Sequence, residues 1–214
     1  MGWLTTKRIA EPATQPVTTA ECRGVMKTPS DLTDENARFD EWIEAEVGRC
    51  ERVSGRALIT QTLRLTLDSF CDCKNGAEFD CHLGQWVINL PAPPLIAVSG
   101  TDAASPTPNA LGISYVDADG ATQSLTVATD FLVDTGREPG RITLAYGKVW
   151  PTTRNQAGAV TITFTAGYGA ASAVPAEVKS AIRQAVAYRA LSREEPDEAF
   201  LDRIFARFDY GRLP

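Results

Sequence analysis

The chain has 214 residues, 43% of them hydrophobic, and carries 27 acids against 21 bases for a net charge of −6. That length holds one ordinary domain or two small ones with a real core. An acidic chain lacks the basic stripe of a nucleic-acid reader, and no apolar run approaches the about 20 residues that cross a bilayer.

Met1 to Arg8 has no apolar core segment, so it does not read as a signal peptide. A cytosolic origin is expected, with the five cysteines as reduced thiols rather than a disulfide framework. A first short helix is expected from Thr18, where Thr18-Thr19-Ala20-Glu21 spells a capping box and Val17 and Cys22 can staple across it. Gly24 weakens this helix and Pro29 ends it. A second helix is expected from Thr33 to Ser54. Phe39, Trp42, Ile43, Val47, Cys50 and Val53 recur every three or four residues and form one apolar stripe. Asp34 and Glu35 in its first turn and Arg49 and Arg52 near its end suit the helix dipole, and Gly55 is a natural stop. From Asp31 to Arg52 there are eight acids and three bases, nearly the whole net charge of the protein. The plain reading of that run is a solvated helix face.

A β region follows, from Leu58 to about Tyr168. Leu63, Leu65 and Leu67 alternate with polar residues. Further strands are expected at 85–90, 95–99, 112–116, 121–127, 131–133, 141–146 and 160–166, with Asp117 to Gly120 as a hairpin turn. The last strand alternates strictly, with Val160, Ile162 and Phe164 on one face and Thr161, Thr163 and Thr165 on the other. Many short strands punctuated by Gly and Pro suggest a small antiparallel barrel or sandwich. Two helices close the chain. Pro175 suits the first helical position of one, with Val178, Ile182, Ala185 and Val186 as its stripe and Arg189 at the edge. Pro196 starts the other, with Phe200, Leu201, Ile204, Phe205 and Phe208 on its apolar face. The expected fold is therefore α+β: a helical bundle from 1–56 and 170–214, with 57–169 as an inserted antiparallel β domain.

The order of these pieces resembles the head–tail connector, or adaptor, proteins of long-tailed bacteriophages and phage-derived gene transfer agents. Six short motifs carry the resemblance in sequence order. They are the helix opening at Pro16 to Glu21, Gly55 to Thr62 at a helix-to-strand junction, and the proline-rich Leu90 to Leu95. The hairpin at Tyr115 to Gly120, the block from Pro139 to Gly169 with its Trp150-Pro151 corner and Gly167-Tyr168-Gly169 end, and the helix after Pro175 complete the set. Two segments depart from the pattern, the cysteine-rich stretch from Ser69 to Gln85 and a Ser/Pro/Ala/Gly insertion from Gly100 to Gly112. The resemblance implies a non-enzymatic structural protein of the virion neck, assembled in the bacterial cytoplasm. Copies would form a ring under the portal, in twelve-fold symmetry, and extend the DNA channel. The implied partners are the portal protein, a stopper or tail-terminator protein and further copies of the chain. No membrane, cofactor or sequence-specific nucleic acid is expected.

Candidate sites follow from residue chemistry beside that resemblance. At the C-terminus, Phe208, Tyr210, Arg212, Leu213 and Pro214 offer aromatic and Arg anchors, which interfaces favour, and the resemblance places portal docking there. On the second helix, Asp40, Glu41, Glu44 and Glu51 are candidates for an acidic wall along which DNA slides without sticking. Cys71, Cys73, Cys81 and His82 form the one metal-like cluster, but C-x-C with an adjacent Cys-His pair is poor zinc spacing and a polar loop with incidental thiols is favoured. His82 is the single histidine and has no recognisable nucleophile or orienting acid beside it. The pairs Asp40-Glu41 and Glu194-Glu195 fall on exposed helix positions rather than across a cleft, and Gly167 to Gly169 lacks the Lys-Ser/Thr of a phosphate loop. The alternative reading is a non-catalytic module on a helical stalk that binds carbohydrate or protein.

Overall fold

A computed structural model describes residues 6–27, 35–71, 77–96, 111–192 and 196–209. The fold is α+β, with four helices and nine strands among those residues. The chain divides into two compact units, Met1–Glu11 with Gln61–Gly167 and Pro12–Thr60 with Tyr168–Pro214.

The second unit holds α1 (Thr19–Met26), α2 (Asn36–Ser54), α3 (Ala176–Leu191) and α4 (Glu198–Ala206). Thr18 caps α1 in a complete capping box with Glu21. The flanking Val17 and Cys22 are both buried in the same core, as a staple requires. Left-handed Lys27 ends α1, while Pro29 lies outside the described residues. α2 begins at Asn36, later than Thr33, so Glu35 occupies the N-cap and no acid lies in the first turn. Gly55 stops it at φ +67°, a conformation that suits glycine. Pro175 is the N-cap of α3 rather than its first helical residue. α4 starts after Pro196, where Asp197 accepts hydrogen bonds from the backbone N–H groups of Ala199 and Phe200. Phe39, Ile43, Val47 and Cys50 of α2 share one core with Val178, Ile182, Ala185 and Val186 of α3 and Leu201 and Phe205 of α4.

The first unit holds two antiparallel sheets. One runs in the order β1 (Thr6–Ala10), β2 (Gln61–Leu67), β9 (Val160–Ala166), β5 (Gly112–Val116) and β6 (Thr122–Leu125). The other runs β3 (Ala77–Asp80), β4 (Gln85–Asn89), β8 (Arg141–Leu144) and β7 (Phe131–Asp134). β2 and β9 pair over their full length, so Leu63, Leu65 and Leu67 lie opposite Phe164, Ile162 and Val160, all buried. This is the period-2 pattern realised as one face of a sheet.

Four features of this unit differ from the sequence expectation. Residues 6–10 form an edge strand on β2, because a five-residue strand with two cations in it carries no apolar alternation to announce itself. β3 lies inside the cysteine-rich stretch and closes a hairpin onto β4. At 95–96 the chain makes only an isolated bridge, Leu95 to Ala166, and 97–99 lie outside the described residues. Thr165, on the expected polar face, is buried.

The Trp150-Pro151 corner has a packing role. Trp150 stacks on Phe70 at 4.7 Å between centroids, and Phe70 meets Tyr115 of β5 edge-on. The indole N–H of Trp150 donates to the carbonyl of Trp86 in β4 at 2.8 Å. One aromatic set therefore ties a strand of each sheet together.

Candidate functional site

The acidic run on α2 separates into residues with different surroundings. Asp40 is exposed and accepts a hydrogen bond from the Thr19 hydroxyl, which joins α2 to the start of α1. Glu51 is partly buried and accepts from the backbone N–H of Leu58 at 2.9 Å, which fixes the turn after α2. Glu41 and Glu44 are exposed, and neither has a hydrogen bond or ion pair among the described residues. Of the four acids, two are thus tied into the fold and two face outward unpartnered.

Glu46, counted above with the solvated acids, is wholly buried. Its Oε1 accepts from Arg189 Nε of α3 at 2.8 Å and lies 2.6 Å from the second Arg189 nitrogen. Its Oε2 lies 3.4 Å from Arg49 Nε. Arg49 continues outward to Glu198 and, at 2.9 Å, to Asp202 of α4, and Arg52 reaches the same Asp202 oxygen at 3.1 Å. This chain of charge runs from a dry carboxylate to a wet rim and links α2, α3 and α4. Burial pushes the Asp202 carboxyl up, but the Arg49 hydrogen bond and the charges of Arg52 and Arg49 outweigh it, and the group sits below the usual carboxylate range. The signal was present in the sequence. Glu46 falls on the 39, 43, 46, 50 stripe of α2 and Arg189 on the 178, 182, 185, 189 stripe of α3, opposite charges at core positions of two helices.

Of the C-terminal candidates, Phe208 packs half-buried against the helical core. Its carbonyl accepts from Arg56 Nε at 3.0 Å and the Arg207 guanidinium lies over its ring. Phe205 is fully buried, whereas Phe200 is exposed and leans on Tyr188 at 4.8 Å. Tyr210, Arg212, Leu213 and Pro214 lie outside the described residues.

Cys71, Cys81 and His82 are exposed, and Cys73 lies outside the described residues. Cys81 and His82 occupy the tight β3–β4 turn, which Asp80 organises by accepting the backbone N–H groups of His82 and Leu83. Among the described residues no group of three or more His, Cys, Asp or Glu is placed to hold a metal. No described helix is long and apolar enough to cross a membrane.

The sheet of β3, β4, β8 and β7 presents a groove of about 700 Å³. Arg141 forms its floor, bonded to Asp80 at 3.0 Å and Asp134 at 3.2 Å. Leu83, Leu132 and Tyr146 form its rim, with Tyr146 fully exposed. Two of the five guanidinium N–H donors, on Nε and one Nη, are thus spent on carboxylates of the same sheet, and the charge at the floor of the groove is paired within the fold.

No family model and no curated protein matches the chain. Solved structures do. A chain from the neck of an empty GTA particle, computed with C6 symmetry, superposes at a TM-score of 0.69 with 22% identity, covering 99% of this chain and 98% of that one. A chain from the virion of a native gene transfer agent particle gives 0.69 at 21% identity over the same shares. A chain from the neck of a native GTA particle, computed with C12 symmetry, gives 0.59 at 22% identity over 96% and 97%. From end to end, this chain has the fold of gene transfer agent neck chains, the fold that its resemblance to the head–tail connector family implies.

Proposed function

We propose that this chain is a structural component of the neck of a phage-like particle, a head–tail connector that completes the DNA-filled head. The observation that carries this reading is the fold match over nearly the whole of both chains. In this reading copies form a ring under the portal, extend the DNA conduit and receive a stopper or tail-terminator protein on the far side. The work is binding, spread over contacts repeated around a closed ring, and the chain performs no catalysis.

The portal-docking segment begins after Asp209. Phe208 is committed to the helical core by its ring and its carbonyl, so it is the fixed root, and Tyr210, Arg212, Leu213 and Pro214 are the residues offered to the portal. Deleting the gene in a producing host tests the role, with electron microscopy as the readout. DNA-filled heads without tails are expected, and intact tailed particles would refute it. Complementing the deletion with a chain ending at Asp209 is expected to restore a folded protein but not attached tails.

A further inference from the structure

Lys7 of β1 and Arg64 of β2 lie directly opposite each other across the antiparallel pair. Both are exposed, and among the described residues neither has a hydrogen bond or a carboxylate partner. Like charges opposed across strands repel at short range. The next residue across the sheet from Arg64 is the uncharged Thr163 of β9, which offers no neutralising charge. The fold thus keeps a repulsive cation pair on a sheet face.

Glu41 and Glu44 are the mirror case. They stand three residues apart on α2, exposed and unpartnered among the described residues. Residues at that spacing have Cβ atoms about 5–6 Å apart, and opposed residues on antiparallel strands have them about 4.5–5.5 Å apart. The two pairs therefore match in separation and oppose in sign. The helix surface beside the carboxylates is also low: Ala37, Ala45 and Gly48 are exposed. A Cβ at Gly48 would meet nothing within 4 Å, so no packing inside the chain asks for glycine in the middle of this 19-residue helix. A small-residue surface permits close approach by another backbone.

We infer that these pairs are the two halves of one contact between copies: Lys7 and Arg64 of one copy receive Glu41 and Glu44 of the next. The inference rests on the ring reading and specifies its contact. Patches that differ on the two sides of each junction make a head-to-tail interface, which closes into a ring when the rotation allows. The alternative, Glu41 and Glu44 facing DNA, predicts that charge reversal leaves association between copies unchanged.

The test uses the purified full chain and two variants, Lys7→Glu with Arg64→Glu and Glu41→Lys with Glu44→Lys. Circular dichroism confirms that each is folded, and sedimentation velocity follows association at about 50 mM and 500 mM salt, where screening differs strongly. Wild-type chain is expected to associate at low salt and less at high salt. Each variant alone is expected to associate at least about 100-fold more weakly, because like charges then meet at every junction. Mixing the two variants is expected to restore association to within about tenfold of wild type, since acid then meets base at each contact. Zero-length carbodiimide coupling should join Lys7 of one copy to Glu41 or Glu44 of another. Variants that associate like wild type, or a mixture that fails to recover, overturn this contact and leave the ring reading standing. Wild-type chain that stays monomeric in every condition overturns both.

Discussion

Glu46→Gln is the sharpest test of how the helical unit is held together. The carboxylate is fully buried and takes two close contacts from Arg189 and a longer one from Arg49. Breaking a buried ion pair by removing one partner costs about 3–5 kcal/mol when the other charge is stranded in a dry site. The side chains of Arg189 and Arg49 keep 21% and 12% of their exposure, and Arg49 keeps Glu198 and Asp202, so both guanidinium groups recover part of their solvation. The glutamine oxygen also retains one hydrogen bond. The expected loss is therefore about 2–3 kcal/mol. With a urea m-value of about 2 kcal/mol/M, the midpoint followed by circular dichroism at 222 nm should fall by about 1 M. Replacing both partners, Glu46→Met with Arg189→Met, should recover most of the loss, because an apolar pair of similar volume strands no charge. A Glu46→Gln midpoint within about 0.2 M of wild type would refute the claim that this carboxylate anchors α2 to α3.

Acid should loosen α4. Asp202 lies below its usual pKa in the fold, so its contribution is complete above the unfolded value of about 3.9 and is lost as the pH falls through the folded one; hydrogen exchange of α4 should rise below about pH 4, and Asp202→Asn should remove that dependence. The Cys50 thiol is pushed up to about 12, first by burial and then by the charge of Glu51, and Cys22 to about 11 by burial and then Glu21. Iodoacetamide on the native protein should therefore label exposed Cys71 and Cys81 and spare Cys22 and Cys50, and rapid labelling of Cys50 would contradict its burial. Gly140→Ala would place a Cβ 2.8 Å from Leu95 Cδ2 and 3.0 Å from Leu95 Cβ. The first atom can rotate away and the second cannot, so about 1–3 kcal/mol of overpacking is expected, and an unchanged thermal midpoint would refute that contact.

The strongly periodic elements were legible in the sequence. Val160 to Ala166 and Gly112 to Val116 appear as strands with the bounds expected, and the α1 capping box is complete, because period-2 alternation and cap chemistry are local signals. The missed elements lack local signals. β1, with Lys7, Arg8 and Ile9 exposed, owes its conformation to the edge of β2 that it covers, and β3 to its pairing with β4. The start of α4 shows the same limit in miniature. Pro196 marks a boundary, yet the side chain that satisfies the orphaned N–H groups is its neighbour Asp197.

The acidic run on α2 shows how far charge in a sequence carries toward a site. Counted along the chain, Asp40, Glu41, Glu44, Glu46 and Glu51 look alike. In the fold Glu46 is a core anchor, Glu51 holds a turn and Asp40 braces α1. Net charge says nothing of these assignments, because each depends on whether a donor from a distant part of the chain reaches that carboxylate. What separates the remaining two is the absence of any such donor among the described residues. Exposure alone would make Glu41 and Glu44 ordinary solvated acids. Their claim to a role comes from a second pair, Lys7 and Arg64, equally exposed, opposite in sign and similarly spaced. Neither pair is legible as a pair without the fold: the cations lie 57 positions apart in sequence, and only the register of β1 on β2 brings them face to face. The helix face is readable from a period of 3.6 residues, but the surface it would meet is set by a strand pairing that the sequence does not announce.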